Sequence, residues 1–149
     1  MVHSPRSIVH SPQKRTIQGT IEKILKKIVR EKVKLIVAGR TDSGVHAKAQ
    51  VANFKTNSII PVKNLQLALN GLLPLDIAII RAEEASLDFN SCFDASSKIY
   101  RYTILNRPFR SALFKDRVLF YPYPLDVGLM RRVCRYLIGK YDFGAFCAS

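Results

Sequence analysis

Val37-Ala38-Gly39-Arg40-Thr41-Asp42-Ser43-Gly44-Val45-His46-Ala47 is the stretch around which the rest of the chain is organised. The apolar run Val33–Ala38 stops at Gly39, and apolar residues resume in alternation from Val45, so a short polar and glycine segment separates two expected strands. Asp42 falls at the tip of that loop. Gly39 and Gly44 bracket it, and glycine serves where the backbone needs positive φ or where another group must pass close by. Arg40, two residues from Asp42, is the expected supporting cation, able to set the charge and orientation of the carboxylate. By loop chemistry alone Asp, Ser and Gly are ordinary turn formers, so these residues read first as a structural turn.

The contiguous string Gly39-Arg40-Thr41-Asp42-Ser43-Gly44-Val45-His46-Ala47 resembles the signature of the tRNA pseudouridine synthase A family, in which the usual form has Ala at the place of Ser43. The resemblance implies that Asp42 is the catalytic residue, as nucleophile or base. Arg40, Thr41 and His46 are then candidates for substrate contact.

Charge fits such a substrate. The 149 residues hold 24 Lys and Arg against 11 Asp and Glu, a net +13 spread along the chain, which suits a polyanionic partner bound in a salt-sensitive way. Cys92, Cys134 and Cys147 form no Cys-x-x-Cys pair and lie far in sequence from the three histidines, which argues against zinc. Each cysteine is expected as a small core residue, and an odd number of them points to a reducing, cytoplasmic compartment. No apolar stretch approaches membrane-spanning length.

Along the chain, the first dozen residues, with two His-Ser-Pro triplets, read as irregular. Ile17, Ile21, Ile24, Leu25 and Ile28 recur at helical spacing behind Thr16, a suitable N-cap. Lys23, Lys26, Lys27 and Arg30 occupy the opposite side, read as a solvated face in preference to a phosphate-binding one. Val45, Ala47, Ala49 and Val51 alternate with polar residues as in a half-buried strand, which puts His46 on the face opposite Val45. Pro61 opens a second helix through Leu65, Ala68, Leu69 and Leu72, ended by Asn70-Gly71 and Pro74; Ile77–Ala82 follows as a strand. A last helix carries Leu129, Met130, Val133 and Leu137 inward and Arg131, Arg132 and Arg135 outward, with Gly139 at its end.

Phe93-Asp94-Ala95-Ser96-Ser97-Lys98-Ile99-Tyr100-Arg101-Tyr102-Thr103-Ile104 is the second informative stretch, and its period-two spacing places Tyr100, Tyr102 and Ile104 on one strand face. It resembles the family segment ending in Arg-Tyr-Arg-Tyr. That implies a base-stacking role for Tyr100, with Arg101 beside it as a substrate-binding residue. The closing Leu137–Phe146 resembles the family's Leu-x-Gly-x-His-Asp-Phe-x-x-Phe, with Tyr141 in place of histidine.

The resemblance runs from about Gln13 to Phe146. It implies the α+β pseudouridine synthase fold: a mixed, largely antiparallel sheet with helices on one face, here incomplete. The expected divisions are an irregular start at 1–12, an N-terminal catalytic half-domain at 13–106, and the connection and beginning of a second half-domain at 107–149. The implied activity is isomerisation of uridine to pseudouridine in the anticodon stem-loop of tRNA, with no cofactor, no metal and no membrane, by a homodimer when full length. The alternative is a basic RNA-binding fragment without catalysis. The family's opening Tyr-Asp-Gly strand and its second-half arginine have no counterpart here, so these 149 residues alone are expected to aggregate, or to bind tRNA weakly and salt-dependently, and not to isomerise it.

Overall fold

The computed structural model describes residues 15–146, which fall into two compact units, Met1–Lys98 and Ile99–Ser149. In the first unit, α1 (Ile17–Val29) begins where the Thr16 side chain accepts the Gly19 N–H at 3.0 Å, the N-cap its sequence suggests. It ends at Arg30, whose φ of 59° is left-handed. Ile24 and Leu25 face inward and Ile21 and Ile28 flank them, whereas Ile17 stays largely exposed. α2 (Val62–Leu72) starts after Pro61 and runs through Asn70 and Gly71, one correction to the expected end. It stops because Pro74 forces the preceding Leu73 into an extended conformation, φ −70° and ψ 145°.

The two helices pack on each other over Ile24, Leu25, Val33, Leu35, Leu65, Leu69 and Leu73, with Val37, Phe54, Ile77 and Ile79 against this core. β1 (Ile36–Val37) pairs antiparallel with β2 (Ala52–Asn53), in the register Ile36↔Asn53 and Val37↔Ala52. The expected strand over Val45–Val51 is not formed: those residues are exposed, and regular pairing starts only at Ala52. Ile77–Ala82 is likewise not a strand. Its backbone is held by α2 side chains, Asn70 bonding both the N–H and the C=O of Ile79 while Gln66 donates to Ile79 and Ile80. Amide side chains thereby take the place of a neighbouring strand.

In the second unit, β3 (Ile104–Leu105) pairs parallel with β4 (Leu119–Phe120), and Asn106 ties the segment beyond β4 by donating 2.7 Å hydrogen bonds to the carbonyls of Tyr121 and Tyr123. Ile99–Thr103, expected as strand, has no regular structure, although the Thr103 carbonyl accepts the Leu119 N–H. α3 (Val127–Cys134) is capped by Asp126, whose side chain accepts the Leu129 N–H at 2.8 Å. Leu129, Met130, Val133 and Leu137, expected inward, are substantially exposed, because nothing in this unit covers that face. Gly139 follows with φ 145°. Cys92 and Cys134 are exposed, contrary to their expected burial, since one lies on a tight surface turn and the other ends the uncovered α3. Cys147, like the irregular start at 1–12, lies outside the described residues. The elements make an α+β arrangement of three α-helices and two two-stranded sheets among the described residues.

Candidate active-site loop

The loop carrying Asp42 is a closed excursion from the β1–β2 ladder. The ladder extends one step beyond Val37, the Ala38 N–H donating to the Val51 carbonyl at 3.0 Å. Gln50 Nε2 then donates to the Gly39 carbonyl at 2.6 Å, so the neck is tied on both sides before the chain leaves for solvent. At the tip the Val45 N–H donates to the Asp42 carbonyl at 3.2 Å, closing a four-residue turn in which Gly44 has φ 88°. Positive φ at the third position is the type II pattern, which favours glycine there. A Cβ on Gly44 would meet nothing within 4 Å, so the demand is purely backbone conformation.

That separation of strain from crowding gives a test. Gly44→Val should lower the urea midpoint of unfolding by the equivalent of about 1–3 kcal/mol, and Gly44→Asn by much less, since Asn tolerates the left-handed region. Equal midpoints for Val and Gly would show that the turn is not held in solution.

Arg40, Thr41, Asp42 and His46 all lie on this loop with exposed side chains. The ion pairs among the described residues are Arg15–Asp76 and Arg81–Glu83, so the Asp42 carboxylate and the Arg40 guanidinium are not in contact. His46, expected on the outer face of a strand, sits instead in irregular loop because that strand is absent. Tyr100 and Arg101 belong to the second unit, where both are exposed, the Tyr100 ring at 79%.

Several residues that shape the loop's base escape a reading of the sequence. Gln50 is one, hidden among the polar members of an alternating run. Ser91, 2% exposed, is another: its hydroxyl donates to the Ile36 carbonyl at 2.8 Å and its N–H to Asn53 Oδ1 at 2.9 Å, while Asn53 Nδ2 donates to the Phe89 carbonyl at 3.1 Å. This clamp docks the segment near residue 90 onto β1 and β2. The adjoining turn is tied by Asp94, whose N–H donates to the Asn90 carbonyl and whose carboxylate accepts the Asn90 N–H at 2.8 Å. Lys98 is the third: a Cβ at position 39 would lie 3.0 Å from its Nζ and 3.6 Å from its Cε. Lys98 stands within the quoted stretch Phe93–Ile104, but nothing in its spacing marks it.

Away from the loop, the Ser86 hydroxyl, followed by Asp88's own backbone amide and the Lys55 charge, holds the Asp88 carboxyl below its ordinary value. Clefts of about 310 Å³, lined by Lys34, Ile36, Asn53, Phe54 and Lys55, and of about 420 Å³, in the second unit beside Arg110 and Asp116, contain none of the loop residues. Among the described residues no three His, Cys, Asp or Glu side chains converge as metal ligands, and no helix is long and apolar enough to cross a membrane.

Comparison with known proteins supplies a family. The description tRNA pseudouridine synthase matches residues 3–94, which takes in the whole Asp42 loop and also the opening stretch that the motifs alone leave outside the resemblance. A tRNA pseudouridine synthase A of Caldicellulosiruptor bescii is 53% identical over 138 residues, 93% of this chain and 57% of its own length. A tRNA pseudouridine synthase A 2 of Clostridium perfringens is 50% identical over 131 residues, 88% of this chain and 54% of its own. One from Acetivibrio thermocellus is 47% identical over 135 residues, 91% and 55%. The chain thus spans a little over half the length of these relatives.

Proposed function

Since the chain belongs to the tRNA pseudouridine synthase family, we propose that it carries the catalytic loop of an enzyme converting uridine to pseudouridine in the anticodon stem-loop of tRNA. The observation that carries the reading is the Asp42 turn: a solvent-facing carboxylate without an ion-pair or hydrogen-bond partner among the described residues, on a loop tied at its neck by Gln50 and Val51 and at its tip by the Gly44 turn. A structural aspartate in a turn commonly spends its carboxylate on nearby backbone N–H groups. Asp42 does not; what closes this turn is its backbone carbonyl.

The chemistry calls for such a group. The C1′–N1 bond of uridine breaks, the uracil turns within the site, C5 bonds to C1′, and the C5 hydrogen leaves as a proton while N1 takes one up. Atoms balance without a second substrate, metal or redox cofactor. Asp42 serves either by covalent attack or by taking a proton from the ribose. Arg40 supplies positive charge on the same loop, with Thr41, His46 and Arg101 as further substrate contacts. Tyr100 offers a stacking face to the extruded base in place of its lost neighbours. The excess of basic residues suits the tRNA backbone. The largely antiparallel sheet with helices on one face and RNA on the other, the homodimer and the cytoplasmic setting belong to the same reading, on the strength of the resemblance.

The function is tested by incubating the chain, alone and fused to the remaining segment of the Caldicellulosiruptor bescii relative, with unmodified tRNA. Carbodiimide adducts then map pseudouridine by primer-extension stops. Stops confined to anticodon-arm uridines support the proposal; tRNA binding without stops in the fusion favours the non-catalytic RNA-binding alternative. Within an active fusion, Tyr100→Ala should lose about 1–3 kcal/mol of substrate stabilisation and Tyr100→Phe clearly less, read as kcat/KM. Equal losses would assign the role to the hydroxyl and not to the ring face.

A further inference from the structure

We propose that Lys98 is a phosphate ligand of the Asp42 loop, set beside Gly39 at the loop's root, and that it holds the RNA strand next to the reacting nucleotide. The inference rests on the reading of this loop as an RNA-modifying site.

The glycines in the left-handed region among the described residues are Gly44 and Gly139, so Gly39 is not required by its φ. What lies beside it is the exposed end of the Lys98 side chain: a Cβ at position 39 would stand 3.0 Å from its Nζ and 3.6 Å from its Cε, close enough that the lysine would give by a few tenths of an ångström. A glycine at the root of the loop and a lysine fifty-nine positions on thereby lie side by side. Lys98 is brought there by the Ser91–Asn53 clamp and the Asn90–Asp94 turn, both rigidly tied to β1 and β2 or to each other.

The ammonium is exposed, and among the described residues it takes part in no ion pair or hydrogen bond. An ammonium has three donors and no acceptor, a compact point charge that suits a phosphate oxygen better than the patterned edge of a base. The local charge balance gives it a purpose. Asp42 at the loop tip would by itself repel the phosphodiester flanking the target nucleotide; Arg40 and Lys48 on the loop already outweigh that charge, and Lys98 adds a further cation at the loop's root. The carboxylate can then be offered to the ribose within a strand that the loop attracts.

The test uses the 149-residue chain and a fluorescent anticodon-arm RNA hairpin, with binding followed by anisotropy across a KCl titration. Lys98→Met should weaken binding about ten-fold at low salt and reduce the magnitude of the log K against log salt slope by about 1. Lys98→Arg should restore most of the affinity, and Lys26→Met, the same charge change on the outward side of α1, should stay within about two-fold of the parent. Gly39→Ala removes no charge and asks the lysine end to give by only a few tenths of an ångström, so it should bind within about two-fold of the parent. The urea midpoint of Lys98→Met should match the parent, since no protein contact is lost.

Lys98→Met indistinguishable from Lys26→Met in affinity and slope would overturn the assignment while leaving the RNA reading intact. So would a Lys98→Met loss matched by an equal fall in unfolding midpoint and not rescued by Arg. A parent chain that fails to bind the hairpin even at low salt would overturn the RNA reading itself, and the assignment with it.

Discussion

Asp42→Asn is expected to lower pseudouridine formation in tRNA by at least about 10²–10⁴-fold while tRNA affinity changes by less than about two-fold. Asparagine keeps the size and turn preference of the residue, so the loop should close as before through the Val45 N–H and the Asp42 backbone carbonyl, neither of which the substitution touches. What disappears is an anionic oxygen able to attack carbon or take a proton. The carboxylate is exposed and has no partner among the described residues, so its loss leaves no buried group unsatisfied there and should not disturb folding. Comparison of kcat/KM with hairpin affinity separates the two effects. A matched drop in both would move Asp42 from chemistry to binding.

Leu25→Ala is expected to be the most damaging single change to the fold, at about 2–5 kcal/mol. Leu25 is the one large side chain of the described residues with no exposure at all, and it sits where α1 meets α2, Val33 and Leu35. The core around it is small, and a whole domain is stable by only about 5–15 kcal/mol. β1 and the neck of the Asp42 loop continue directly from Leu35, so loosening that core also frees the site. A urea titration should show the midpoint falling by about 1–3 M, against little change for Ile17→Ala, whose side chain is mostly exposed. A shift of similar size for both would mean that the α1–α2 core does not carry the stability.

Helices were legible here and strands only in part, β1 forming within the expected Val33–Ala38 run while the other expected strands stay largely unpaired, for a physical reason that particular residues make plain. Ile21, Ile24, Leu25 and Ile28 fall on one face by spacing alone, and Thr16 marks the start through a bond three residues away, so α1 can be read locally. Alternation over Val45–Val51 and Ile99–Ile104 indicates only residues suited to a half-buried ladder; a strand also needs a partner, and neither stretch has one here along most of its length. At the site the turn was legible through Asp42-Ser43-Gly44, and Gly44 adopts the positive φ that glycine permits. The nearness of Lys98 to Gly39 was not legible, because the two lie far apart in sequence. Ser91 and Asn53 left no local signal either, since a buried serine bonding Ile36 reads in sequence like any loop serine.

The central claim is that Asp42 on this loop performs uridine isomerisation, and loss of the C5 hydrogen reports that reaction without regard to later steps. The measurement is tritium released to water from tRNA labelled at C5 of its uridines, under single-turnover conditions. The enzyme is the chain fused to the remaining segment of the Caldicellulosiruptor bescii relative, compared with its Asp42→Asn variant. Release matching the number of anticodon-arm uridines modified, and none above background for Asp42→Asn, is the predicted result. Undiminished release by Asp42→Asn, or no release by the fusion under conditions where the relative itself is active, would contradict it.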